Sequence, residues 1–200
     1  MSLAHIRTRL ARYEPSLIDE PKVARASVAL VLHQAASGVE LLLIERATRD
    51  DDPWSGHMAF PGGRRDPDDA DVIATAARET HEEVGIELAR EGAVIGRLDE
   101  LRAIAHHRPL DLVISPVVFA LSRAIIPQPN PREVESAVWV PLSSLSSPAA
   151  RATYTRTLDG ITSDFPALRY ERYTIWGLTH RVLSEFLEIV RADEGSEGRR

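Results

Sequence analysis

The stretch 60–86, FPGGRRDPDDADVIATAARETHEEVGI, constrains this chain more than any other. Two glycines follow a proline, aspartates crowd the next turn, and a run of helix formers ends at Val84-Gly85. The pattern predicts a helix from about 69 to 84, with Gly85 where a left-handed C-terminal cap belongs. At roughly 100° per residue, Ile73, Ala76, Ala77, Thr80 and Val84 gather on one side of that helix. Glu79, Glu82 and Glu83 share a sector of about 100° on another side. Glu79 and Glu83, four residues apart, repel by only some tenths of a kcal/mol on a solvated face. Taken alone, the glutamates therefore describe an acidic exposed helix as readily as a metal-binding one.

The elements around the helix set the fold class. Residues 25–33 (RASVALVLH) and 39–46 (VELLLIER) are β-rich runs joined at Ala36-Ser37-Gly38, which reads as a hairpin. Leu3, Ile6, Leu10 and Tyr13 fall at helical spacing and predict a short amphipathic helix packed on the domain, rather than on a membrane surface. Residues 48–55 read as a loop broken at Pro53, and 56–61 as a short strand that delivers Gly62 and Gly63. Further strands are expected at 94–99, 112–121 and 136–140. A last helix is expected over 175–190, with Trp176, Leu183, Phe186, Leu187 and Val190 as its apolar stripe. No regular βαβ repeat appears, so the expected class is α+β, with a mixed sheet in a layered domain. The expected organisation is an N-terminal helical extension over 1–24, one domain over 25–191, and a polar tail over 192–200.

Composition narrows the function. The chain has 200 residues, no cysteine and a formal net charge of −6. Disulfides and thiolate metal sites are therefore excluded, and a cytoplasmic home is the expectation. A broad electrostatic grip on nucleic acid is disfavoured by the net charge. No run of about 18 apolar residues exists to span a membrane, and the spaced apolar residues of the N-terminus argue against a secretory signal. Lys22 is the single lysine, so the basic groups are arginines, which grip phosphate as planar forks.

The neighbours of the glutamates favour the metal reading. Hard cations such as Mg²⁺ take carboxylate oxygens and water, and commonly meet phosphate oxygens as further ligands. Gly62 and Gly63 remove side chains where a phosphate approaches the backbone. Arg78 is placed to brace a neighbouring carboxylate with its fork.

This stretch resembles the Nudix box, G-x5-E-x7-R-E-U-x-E-E-x-G-U with U apolar. Residues 78–86 match its second half, with Thr80 at the apolar position. The first half departs: the box's glutamate falls on Ala70 and its glycine on Arg64, and a one-residue insertion realigns Gly63. Asp68, Asp69 and Asp71 are the candidates for the acid that caps the helix. The form FPGGRRDP, the segment 138–142 (VWVPL) and the segment 175–179 (IWGLT) are similar to the coenzyme A pyrophosphatase branch of that family. Where that branch carries a basic residue, this chain has Asp50-Asp51-Asp52.

The resemblance implies an α/β/α sandwich and metal-dependent hydrolysis of a pyrophosphate bond in a nucleoside diphosphate derivative. It implies Glu79, Glu82 and Glu83 as ligands of Mg²⁺ or Mn²⁺, and Glu82 or Glu133 as the general base. Arg46, Phe60, Gly62, Gly63 and Arg64 are the implied substrate-binding residues. The implied partner is a small-molecule nucleotide, with no nucleic acid and no membrane, and a homodimer stands among the expected assemblies. Two rivals remain: another Nudix specificity, such as ADP-ribose or dinucleoside polyphosphates, and a non-catalytic nucleotide sensor. Of the remaining polar and aromatic residues, Glu135 joins Glu133 as a candidate from the loop 127–135. His106-His107-Arg108 reads as a phosphate contact or a solvated loop, and Trp54 as a base-stacking ring or a loop anchor. His5, His33, His57 and His180 read as packing or exposed residues, His81 as surface, and Trp139 and Trp176 as core.

Overall fold

The computed structural model describes residues 1–48, 56–105, 108–158 and 161–191. Asp50, Asp51, Asp52, Trp54, His106, His107 and the 192–200 tail lie outside the described residues.

Strands β1 (Ala24–Ala35) and β2 (Gly38–Arg46) form the expected hairpin, with Gly38 at φ +130° beyond the turn and Leu32 paired to Leu41. Their apolar runs are nearly continuous, so both faces need cover. Leu30, Leu32, Leu41 and Leu43 enter one apolar cluster, while Ala29, Val31, Leu42 and Ile44 enter another on the opposite face. The sheet is completed by β3 (Met58–Ala59), β4 (Gly62–Arg64), β5 (Gly92–Arg97), β6 (Leu101–Ala105), β7 (Arg108–Leu121) and β8 (Val134–Pro141). Its order is β3-β2-β1-β7-β5, with β4 on β1, β8 on β2 and β6 on β7. Only the β1–β7 pairing is parallel among these, so the sheet is mixed.

Helices cover both faces. On one side, α1 (Leu3–Leu10), α4 (Leu142–Ser146) and α5 (Gly177–Arg191) contribute Ile6, Leu10, Leu142, Phe186 and Val190 to the first cluster. On the other, α2 (Val72–Val84) and α3 (Leu88–Glu91) contribute Val72, Ala76, Val84 and Leu88 to the second. This is a helix–sheet–helix sandwich, and α1 is docked on it: His5 and Arg9 reach the Val190 and Ile189 carbonyls of α5. None of the helices among the described residues is long and apolar enough to cross a membrane.

Three differences from the sequence reading have local causes. A second sheet, ordered β11-β10-β9, is built from β9 (Arg151–Leu158), β10 (Ile161–Tyr170) and β11 (Tyr173–Trp176). Its threonine-rich strands lack a clean apolar alternation, and Pro166 sits in the middle strand, where proline argues against strand. The last helix starts at Gly177 (φ +63°), so Ile175 and Trp176 belong to β11 and not to the helical stripe. Helix α2 begins at Val72, not near 69, because Asp71 caps it: Oδ1 accepts from the Ile73 and Ala74 amides at 2.9 and 2.8 Å.

Of the three candidate caps, only Asp71 holds the helix N-terminus. Asp71→Ala should therefore cost about 0.5–2 kcal/mol of stability. Asp68→Ala should be near neutral, with both read from urea unfolding midpoints at constant slope.

Candidate active site

Helix α2 presents its carboxylates differently from the two-sided picture that the periodicity suggested. Its buried residues are Val72, Thr75, Ala76, Thr80, Glu83 and Val84. At roughly 100° per residue, Glu83 falls between Val72 and Ala76, in the middle of the covered face. It is 2% exposed. Thr80, at the apolar position of the motif, is buried with its hydroxyl donated to the Ala76 carbonyl at 2.7 Å. The helix ends as expected at Gly85 (φ +69°), whose amide donates to His81. Beyond it, the Gln128 and Asn130 amides cap the Val84 and Glu83 carbonyls, which docks the loop before β8 onto the helix end.

The two glycines serve different demands. A Cβ on Gly62 would stand 2.2 Å from the Ser27 carbonyl oxygen, so β4 approaches β1 too closely for any side chain there. A Cβ on Gly63 would lie 2.4 Å from the Glu79 carboxylate, so this glycine makes the space that Glu79 fills. The Gly62 amide donates to Glu83 Oε2 at 2.9 Å. Strand β4 thus touches two of the three glutamates.

Arg78 fixes the third. Its Nε and Nη2 donate to the two oxygens of Asp69, each at 3.0 Å, and Nη2 also donates to the Arg64 carbonyl. Nη1 lies 2.9 Å from Glu79 Oε1 and 3.0 Å from Glu82 Oε2. Asp69, which departs from the motif's glutamate, supplies the anchor for Arg78; the signal was its place in the aspartate burst, shared with Asp68 and Asp71. Hydrogen bonding to Arg78 holds the Asp69 carboxyl down at about 2.

The remaining candidates are placed as follows. Arg46 and Glu133 both act electrostatically on Glu83, Arg46 stabilising its charge and Glu133 opposing it. Glu133 also acts on Glu79, and its backbone carbonyl accepts from Ala47. Glu135 is exposed on β8. Arg64 is exposed and contributes its carbonyl to Arg78. Phe60 is 4% exposed in the first apolar cluster, so its ring supports the strand from the core side and does not face the carboxylates. His81 is exposed as expected, and Trp139 is half-buried with its indole N–H on the Ile125 carbonyl.

Burial pushes the Glu83 carboxyl up to about 8, the Gly62 amide pulling the other way and Glu79 adding to the rise. Burial also raises Glu79, against the attraction of Arg78. Among the described residues no three carboxylates or imidazoles already converge as a metal cage. The donor set nonetheless fits a hard divalent cation. It is all oxygen, Glu83 is desolvated without a full counter-charge, and Glu79 and Glu82 already share one cationic partner in Arg78.

The family model described as NUDIX domain matches residues 23–159. The chain is 33% identical over 195 residues to the mitochondrial coenzyme A diphosphatase NUDT8 of Mus musculus, covering 92% of this chain and 85% of that protein. It is 40% identical over 159 residues to an uncharacterized protein of Schizosaccharomyces pombe, covering 70% of this chain and 48% of the relative, so it spans about half of that relative's length. The solved binary complex of a C. elegans Ap4A hydrolase superposes with a TM-score of 0.50 at 23% identity, over 60% of this chain and 82% of that one. A MutT/nudix family protein from Enterococcus faecalis superposes with a TM-score of 0.51 at 16% identity, over 95% and 70%. These two likenesses show a shared fold.

Two outcomes are expected. Gly63→Val should remove activity while circular dichroism still shows a folded protein, because the added methyls occupy the Glu79 carboxylate position. A raised carboxyl stabilises the fold below its unfolded value of 4.5 and loses that contribution as pH rises through about 8. Metal-free protein in EDTA should therefore lose stability between those limits by up to about 1.4 kcal/mol per pH unit. Urea unfolding of Glu83→Gln should show that slope flattened.

Proposed function

Because the chain belongs to the Nudix family and is a pyrophosphohydrolase, we propose that it cleaves the pyrophosphate of coenzyme A or an acyl-coenzyme A, using Mg²⁺ or Mn²⁺ held by Glu79, Glu82 and Glu83. The observation that carries the chemistry is the buried Glu83 carboxylate, oriented by the Gly62 amide beside a Glu79 packed on Gly63. The choice of substrate is supported by similarity to a coenzyme A diphosphatase over nearly the whole chain, and by the FPGGRRDP form of the box.

When bound, the divalent cation withdraws charge from the phosphoryl oxygens and makes a ligated water easier to deprotonate. The protein's own groups do the positioning. Gly62 fixes one oxygen of Glu83, Gly63 admits Glu79 to the strand surface, and Arg78 restrains Glu79 and Glu82 together. Glu133 is the better base of the two candidates. It is half-buried on the loop docked against α2, whereas Glu82 is 49% exposed and already paired with Arg78. Arg46 and Arg64 neutralise phosphate charge on the β2 and β4 sides of the cleft. The intact glutamate set speaks against a purely sensory module, which has no use for a buried glutamate such as Glu83 among the proposed ligands.

A hydrolysis panel of coenzyme A, its 3′-dephospho form, ADP-ribose and dinucleoside polyphosphates, each with Mg²⁺ or Mn²⁺, tests this reading. Coenzyme A should be cleaved, with the 3′-dephospho form handled at least as well, because the sequence has Asp50-Asp51-Asp52 where the resembled branch carries a basic residue. Glu83→Gln should lower kcat by about 100-fold or more, as expected for loss of a metal ligand. Cleavage of ADP-ribose or a dinucleotide in preference to both coenzyme A forms would reassign the substrate.

A further inference from the structure

A row of aromatic rings stands outside both the carboxylate site and the apolar clusters that hold the domain together. Tyr154 on β9 and Trp176 on β11 stack with centroids 4.1 Å apart and planes 25° apart. Phe165 on β10 tilts against Trp176 at 5.4 Å, and His57 meets Trp176 edge-on at 4.8 Å. Tyr154 is paired with Phe165, and Trp176 with Ala167, whose small side chain leaves room for rings to meet across β10. The opposite side of the same hairpin is polar: Thr153, Thr155, Thr157, Thr162 and Asp164 are exposed. All four rings are only half-buried. Three large aromatics concentrated on one side of a projecting hairpin, and absent from the core clusters, are more than that small sheet needs to fold.

The rings border a recess of about 180 Å³ lined by Glu45, His57, Tyr154, Arg172 and Trp176 among others. Its acid is paired, and a further arginine stands beside the rings. Arg156 lies over the Trp176 ring at 5.7 Å. Arg172 binds both oxygens of Glu45, at 3.1 and 2.7 Å, which neutralises the one acid of the lining among the described residues. Aromatic faces flanked by guanidinium groups are a stacking surface for heteroaromatic rings, with phosphate in reach of the cations.

The recess is linked along the chain to the proposed pyrophosphate site. Arg46, next to Glu45, takes the Gly56 amide on its carbonyl and gives its own amide to the His57 carbonyl, both at 3.1 Å. His57 and Gly62 lie five residues apart on one run of chain, so their backbones are at most about 17 Å apart. That upper limit is on the scale of an extended nucleoside diphosphate.

We propose that this recess binds the nucleobase of the substrate against the Tyr154–Trp176 stack, with His57 at its edge and Arg156 towards its phosphate. The position of the scissile bond rests on the pyrophosphohydrolase reading above; occupancy of the recess does not. Two measurements on the full chain separate them.

The first titrates AMP and ribose 5-phosphate into metal-free protein. The Trp176 indole N–H resonance, identified by its loss in Trp176→Phe, reports binding without any turnover. AMP should shift it and ribose 5-phosphate should not. The second compares wild type with Tyr154→Ala and Arg156→Gln, both with unchanged melting temperature. KM for the cleaved substrate and the inhibition constant of AMP should rise about 10-fold in Tyr154→Ala, with kcat within about twofold of wild type. Arg156→Gln should raise both in the same direction, and AMP should inhibit competitively. A Trp176 resonance indifferent to AMP overturns the proposal, as does non-competitive inhibition or an unchanged KM in Tyr154→Ala. Should no pyrophosphate compound be cleaved, the AMP titration still decides the recess, and the failure falls on the catalytic reading alone.

Discussion

Arg78 donates to both oxygens of Asp69 and to the Arg64 carbonyl, and reaches Glu79 and Glu82 with the same fork. One rigid plane of donors thereby joins the turn after β4 to two carboxylates of α2, and fixes the distance between strand and helix. The planar geometry matters, since an ammonium on a flexible stem serves fewer acceptors in defined directions. Asp69 is itself buried, so the pair is mutually dependent. Removing Arg78 would leave the buried Asp69 carboxylate without its counter-charge, at a typical cost of about 3–5 kcal/mol. Everything that the glutamates do depends on α2 being held against β4, and this contact holds it.

The parts of the fold that were legible in the sequence are those with a short-range signature. The β1–β2 hairpin showed in two apolar runs and a glycine, and α2 in its period and in Gly85. What the sequence hid was decided by neighbours distant along the chain. Whether Glu83 is solvated or covered follows from which elements α2 packs against, and angular arithmetic alone treats both cases alike. The aspartate burst held a cap and an ion-pair partner side by side, and only the placement of Arg78 tells Asp71 from Asp69. The second sheet carries no such signature because its outer end covers no core. Ile175 and Trp176 looked helical because an apolar strand end runs without interruption into the apolar stripe of α5. Phe60 looked like a binding residue by its motif position, yet its ring packs inward.

The site gathers like charges in a place where they repel. Burial raises the proton affinity of Glu79 and Glu83, and the charge of Glu133 raises it further in both. A fold selected for stability alone would place apolar residues on that face, since a buried carboxylate with one amide partner is costly. Arg46 and Arg78 offset the cluster without neutralising it fully. The residual negative field is what a divalent cation would meet on arrival, and a proton occupies that role on Glu83 otherwise.

The parallel pairing of β1 with β7 has a consequence for how the chain is made. Partners such as Ser27 and Ser115 are 88 residues apart, and the whole of α2 with its glutamates lies between them in the sequence. Closing so long a loop precedes any reward from the pairing, and non-local contacts of this kind slow folding. During synthesis, β1 and β2 emerge as a hairpin with two greasy faces while the strand that flanks β1 has yet to leave the ribosome. Until β7 arrives, the exposed edge of β1 is an unpaired template open to other chains. The same topology that seals Glu83 between helix and sheet thus leaves the nascent protein dependent on the timely arrival of its seventh strand.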